Sequence, residues 1–142
     1  MLVGTYYHTL EAKGRFSLPK AFRSESPSWV LTAGFDGCLY AYRASDFETE
    51  VAKMQKLSYF QADHRAVVRH LVGTASPQTT DNLGRLTIPT NLQALAGLHK
   101  KLVIVGQLSH LEIWDADRYR EMMDRLEMNV EERAELVSLE EG

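Results

Sequence analysis

The chain has 142 residues, about the length of one ordinary domain, and is 44% hydrophobic and 25% charged. That composition fits a folded globular protein and excludes a disordered one, and no run approaches the roughly 20 apolar residues of a membrane span. The formal net charge of −3 argues against a polyanion partner only until its distribution is read: residues 127–142 carry six glutamates against Arg133, which leaves residues 1–126 at +2.

The start of the chain, Met1-Leu2-Val3-Gly4-Thr5, has neither a basic lead nor a long apolar stretch, so no secretory signal is expected. The first strong feature is a turn. Thr9-Leu10-Glu11 and Arg15-Phe16-Ser17-Leu18 flank Ala12-Lys13-Gly14 and read as a hairpin, with Gly14 at its left-handed position. Phe16 and Leu18 alternate with Arg15 and Ser17, the period of a half-buried strand. Pro19 ends that strand and opens a loosely defined helix over Lys20-Ala21-Phe22-Arg23. Residues 11–23 hold Lys13, Arg15, Lys20 and Arg23 against Glu11 alone, a local charge of +3. Such a segment can draw phosphate to an acidic protein, because potential within a Debye length of about 8–10 Å decides docking. It can equally be a solvated face.

Trp29–Ala33 and Leu39–Tyr42 read as strands joined through the turn Gly34-Phe35-Asp36-Gly37, with Cys38 a small buried strand residue. A single cysteine can form no internal disulfide, in keeping with a reducing cytoplasm. Ser45-Asp46 is a candidate N-cap for a helix near 46–57. A further helix is predicted over 61–72, with Ala66, Val67, His70 and Leu71 as its apolar face. Thr74–Thr80 reads as a polar loop or strand.

The pattern then starts again. Asp81-Asn82-Leu83-Gly84-Arg85-Leu86-Thr87-Ile88-Pro89 repeats Glu11-Ala12-Lys13-Gly14-Arg15-Phe16-Ser17-Leu18-Pro19 at a spacing of 70, with seven of nine positions identical or alike. Pro89–Ala96 reads as a short helix closed by Gly97, with Leu98 folding back. Lys101–Gly106 is aligned with Trp29–Gly34, and Leu111–Trp114 with Leu39–Tyr42, after a two-residue slip. Asp115 caps a helix over 116–127. The acidic segment after Asn129 is helical at most, with few partners, and is expected to fray. The resulting organisation is a first half over 5–47, a helical linker over 48–75, a second half over 76–119, and a C-terminal helix with acidic tail over 120–142.

Both turns share the spacing acid-x-x-Gly-Arg: Glu11 with Arg15, and Asp81 with Arg85. On a tight turn the carboxylate can accept amides and brace the guanidinium, which lowers the entropy lost when the arginine meets a ligand. Singly, each turn is as well explained by a structural salt bridge; in duplicate, they suit repeated contact with a duplex.

The two motifs, with Leu111-Glu112-Ile113-Trp114-Asp115 after the second and His70-Leu71-Val72-Gly73 before it, resemble the bacterial MraZ family of tandem SpoVT-AbrB-like halves, over roughly residues 1–125. The resemblance implies an α+β fold: a swapped-hairpin AbrB-like β-barrel built from two pseudo-symmetric halves with flanking helices. It implies ring-shaped homo-oligomers that bind DNA upstream of the division and cell-wall gene cluster, the protein's own promoter included, chiefly as a repressor in the cytoplasm and at the nucleoid. It places DNA recognition at Glu11, Arg15, Asp81 and Arg85. Position 11 departs from the family's usual aspartate, and glutamate, one methylene longer, caps a turn less well. Charge adds Lys13, Lys20 and Arg23 as phosphate contacts and makes Arg15 the first candidate for a base edge.

Other chemistries lack their residues. The histidines at 8, 64, 70, 99 and 110 form no His-x-x-x-His pair, and neither a Gly-x-Ser-x-Gly elbow nor a phosphate-binding glycine loop occurs. No enzyme, metal, cofactor, small-molecule substrate or membrane partner is expected. The aromatic residues Tyr6, Tyr7, Trp29, Tyr40, Tyr42, Trp114 and Tyr119 read as core or subunit contacts rather than a base-stacking platform. Two further readings are an AbrB-type antitoxin or global regulator, and an oligomeric protein-interaction module without specific DNA binding.

Overall fold

The computed structural model describes residues 1–127 and 129–141; Met128 and Gly142, both in the C-terminal segment, lie outside the described residues. The chain is α+β, with strands β1 Thr5–Thr9, β2 Arg15–Ser17, β3 Ser28–Ala33, β4 Leu39–Arg43, β5 Ser76–Thr79, β6 Arg85–Thr87, β7 Lys101–Gly106 and β8 Leu111–Asp115. Its helices are α1 Lys20–Arg23, α2 Ala44–Met54, α3 Ala62–Leu71, α4 Thr90–Leu95, α5 Ala116–Glu127 and α6 Val130–Glu141. Six strands form one antiparallel sheet in the order β1-β7-β8-β4-β3-β5, and β2 and β6 form a separate two-stranded ribbon.

Exchanging β1 with β5, β2 with β6, β3 with β7 and β4 with β8 turns that order into its own reverse, which is the signature of a pseudo-two-fold axis. The axis passes between Phe16 and Leu86, which pair in the ribbon, and between β4 and β8, where Tyr40 pairs with Glu112. The duplicated sequence therefore appears as duplicated structure, but not as two hairpins. Although Glu11 N–H donates to the Arg15 carbonyl at 2.7 Å and closes the first turn, the flanking strands pair with the other half: β1 with β7, and β2 with β6. A strand pattern specifies which face is apolar, and both partners on offer satisfied that requirement.

The ladders also correct the alignment of β3 with β7. Trp29 pairs with Arg43 and Leu102 pairs with Asp115, so Trp29 corresponds to Leu102 and not to Lys101. Because side chains alternate, the one-residue error would have exchanged a buried indole for an exposed ammonium.

Three layers result. On one side of the sheet, Phe16 and Leu86 from the ribbon reach into a core with Trp29, Leu31, Leu39, Ile104, Leu111 and Ile113. On the other side, Tyr40, Tyr42, Val103 and Trp114 lie beneath the helices, joined by Phe47, Val68, Leu71 and Tyr119. Strands β3 and β4 are thus covered on both faces, which explains their nearly unbroken apolar runs.

Several local expectations need correction. Helix α2 starts at Ala44 with Arg43 at its N-cap; Asp46 sits in the first turn and pairs with Arg43 instead of capping. The inward face of α3 is His64, Val68 and Leu71, an i, i+4, i+7 set, while Ala66, Val67 and His70 are exposed. Cys38 is buried but precedes β4. Asp115 does cap α5, accepting the Arg118 amide at 3.3 Å. Helix α4 ends as its glycine requires: Gly97 has φ +58°, and Leu98 N–H returns to the Gln93 carbonyl at 2.9 Å.

Candidate nucleic-acid interface

The ribbon carries the two motif arginines. Arg15 pairs with Thr87 and Ser17 with Arg85, so these four residues share one face while Phe16 and Leu86, both fully buried, occupy the other. Arg15 and Arg85 are therefore diagonal neighbours on the outward face, about 7–8 Å apart at the backbone. The turns preceding them lie at opposite ends of the ribbon's two strands.

The turns have the same closing bond and different insides. At the second, Asp81 N–H donates to the Arg85 carbonyl at 3.0 Å. Asp81 Oδ1 accepts the Leu83 and Arg85 amides, both at 2.9 Å, and Oδ2 accepts Arg85 Nε at 2.8 Å. These bonds, the Arg85 amide foremost, hold the Asp81 carboxyl below the usual carboxylate range. The hydrogen bond from Arg85 to Asp81 raises the arginine's already high pKa in turn.

At the first turn no amide bond to the Glu11 carboxylate occurs among the described residues. It instead approaches Arg85 across the ribbon, with Oε2 3.5 Å from a terminal nitrogen. Arg15, which Glu11 was expected to brace, has no ion pair among the described residues. The backbones differ accordingly. Lys13 and Gly14 are both left-handed, at φ +63° and +73°, whereas in the second turn only Gly84 is, at φ +74°. The carboxylate that captures the Leu83 amide does for the second turn what two left-handed residues do for the first. At Lys13 that conformation costs a non-glycine residue roughly 1–2 kcal/mol.

The other sequence candidates separate by role. Lys13 stands exposed at the tip of the first turn, where the second turn presents Leu83, also exposed; Lys20 is exposed at the start of α1. Arg23 is half-buried, and its Nε donates to the Leu18 carbonyl at 2.9 Å. Its stem lies against the second turn, so closely that a Cβ on Gly84 would come within 2.8 Å of Arg23 Cδ. Gln93 repeats this arrangement 70 residues on, with Nε2 donating to the Ile88 carbonyl at 2.8 Å and its amide against Gly14. Each turn is thus buttressed by the short helix of the other half. Sequence reasoning missed this brace and the Glu11–Arg85 approach, yet the signal was present: Arg23 and Gln93 fall at the same 70-residue offset as Gly14 and Gly84. Among the described residues no helix is long and apolar enough to cross a membrane, and no three His, Cys, Asp or Glu side chains gather as a metal site.

Comparison with known proteins agrees with the doubled architecture. The family described as "MraZ protein, putative antitoxin-like" matches twice, over residues 1–70 and 71–138. The chain belongs to the MraZ family. It is 40% identical to the transcriptional regulator MraZ of Ligilactobacillus salivarius over 95% of both chains. Against the proteins of the same name from Alkaliphilus metalliredigens and Limosilactobacillus reuteri it is 35% identical over 94% of both chains and 36% identical over 99% of both.

Proposed function

We propose that this protein is a DNA-binding transcription regulator, chiefly a repressor. It assembles as a ring-shaped homo-oligomer on repeated DNA boxes upstream of the division and cell-wall gene cluster, including its own promoter. Family membership and the name its relatives carry support regulation of transcription. The observation that carries the DNA reading is the pair of arginines, Arg15 and Arg85, on the one solvent-facing side of the ribbon.

The bracing divides the labour between them. Arg85 is held by Asp81 and Glu11, so its fork loses little freedom on meeting a guanine edge, and it takes over the base-reading role that charge alone gave to Arg15. Arg15, Lys13 and Lys20 supply phosphate contacts. One subunit presents few cations, so useful affinity comes from several identical turns engaging several boxes at once.

Fluorescence anisotropy on the upstream DNA and on a scrambled duplex, across a salt series, tests this. Wild-type affinity should fall steeply with salt and favour the upstream sequence. Arg85→Ala should lose about 10–100-fold on upstream DNA, the range of one bidentate base contact, with little change on scrambled DNA. Arg15→Ala should weaken both and flatten the salt dependence. Salt-insensitive binding, or wild-type affinity equal for both duplexes, overturns the proposal.

A further inference from the structure

The pseudo-two-fold relation holds element by element until the last helix of each half, and there it breaks. In the first half, α3 lies against β3; Thr32 beneath it is fully buried, and Val68 and Leu71 join the cluster of Tyr40, Tyr42 and Phe47. The helix in the corresponding position of the second half is α6, and residues 129–138 are exposed at every position. The ground that α6 would cover by analogy is open. Val105, the counterpart of Thr32, is partly exposed, and next to it a groove of about 600 Å³ runs between β1, β7 and the first half of α5. Tyr7, Val103, Tyr119 and Met123 give it an apolar floor, and Lys101 and Arg120 line it with positive charge. Tyr7 is 76% exposed there, an unusual amount for an aromatic residue in a central position of a strand. Met123 corresponds to Val51 of the first half, and Val51 shares its groove with Val68 and Val72 at α3.

Helix α6 carries what this groove lacks. Val130, Ala134 and Val137 recur at i, i+4 and i+7 and form one stripe, with Glu131 and Glu135 toward one side of it and Arg133 on the other. Val130 is 60% exposed and Val137 53%. Only residues 128 and 129 separate α5 from α6, against 55–61 between α2 and α3, so α6 starts at the end of α5 remote from the groove.

We infer that the groove over β1, β7 and α5 receives the acidic helix α6 of a second copy of the chain, apolar stripe on the floor and glutamates against Lys101 and Arg120. The second copy thereby restores to the second half the cover that α3 gives the first. Among the described residues Arg120 pairs with the exposed Asp117, at 3.6 Å, a partner that is readily exchanged. The inference rests on the self-assembly proposed above and names the surface that performs it.

Light scattering on full-length protein after size exclusion tests the interface. A groove variant, Lys101→Glu with Arg120→Glu, and a helix variant, Glu131→Lys with Glu135→Lys, should each drop at least about twofold in mass toward the 16.1 kDa protomer. Both should keep the cooperative melt of the wild type. An equal mixture should regain the assembly, because the intact helix of one variant meets the intact groove of the other, and at the alternate contact the reversed helix meets the reversed groove with opposite charges again paired. Unchanged mass in both variants, or loss without recovery on mixing, overturns the inference and leaves self-assembly standing. A wild type that runs as the protomer removes self-assembly itself.

Discussion

At the second turn one aspartate accepts two backbone amides and the side chain of its arginine; at the first, the glutamate in the same position accepts neither amide and leans toward the arginine of the other turn. At the acidic position the difference is a single methylene. Aspartate reaches the amides two and four residues on, whereas the longer glutamate overshoots them, and the backbone compensates with left-handed Lys13. Two turns related by a symmetry axis have thus become one rigid, charge-saturated tip and one looser, more cationic tip. The same duplicated motif can then supply discrimination at one end and attraction at the other.

The comparison breaks most completely where the two turns share a support. Leu86 is fully buried on the axis against Phe16, so Leu86→Ala should cost about 2–5 kcal/mol in denaturant unfolding and weaken DNA binding through both turns at once. A destabilisation under about 0.5 kcal/mol would mean that the ribbon is not anchored through the axis.

A smaller effect isolates the rigid tip. Asp81→Asn removes the charge that holds Arg85, so the preference for upstream over scrambled DNA should shrink severalfold in anisotropy, with non-specific affinity unchanged or raised. The wild type also makes a pH prediction. The Asp81 pKa is lowered in the folded chain, so its contribution is complete above the ordinary carboxylate pKa of about 4 and is lost only as pH falls through the lowered value. Sequence preference should therefore stay flat between about pH 5 and pH 8, and a step in that window would assign the preference to another group.

The subtlest change converts one turn toward the other. Glu11→Asp should let position 11 cap its own amides and brace Arg15, at the expense of the approach to Arg85. The preference for upstream DNA should move by no more than about fivefold, the scale of a surface ion pair. Loss of the left-handed signature of Lys13, read from its backbone chemical shifts, checks the cause directly.

Much of this was legible in the sequence. The repeat, both turns, the proline-opened helices and the glycine stop of α4 all follow from local rules that depend on a few neighbouring residues. What escaped depends on partners far along the chain. Alternation marked Arg15–Leu18 and Arg85–Ile88 as strands with one apolar face, yet nothing local says that Phe16 pairs with Leu86 rather than with its own hairpin. The alignment of β3 with β7 was one residue off because both runs are apolar at nearly every position, so alternation could not fix the register. The inward face of α3 was misjudged because Ala66 and Val67 look as apolar as Val68, and only the position of β3 decides between them. The bracing of Arg15 failed for the same kind of reason: an acid four residues away was the nearest partner in sequence, while the ribbon brought Arg85 into reach of Glu11.

The exchange of strands across the axis has a consequence for how such a chain comes to exist. A polypeptide holding only one of the two repeats would have β1 without β7, β2 without β6 and β3 without β5, and its apolar ribbon face would look into water. It could complete the core only by meeting another such polypeptide, so its stability would rise and fall with its concentration. Joining both repeats in one strand of peptide makes that encounter unimolecular. Folding no longer waits on a partner, and the two tips are free to drift apart in sequence, because each always finds the same counterpart.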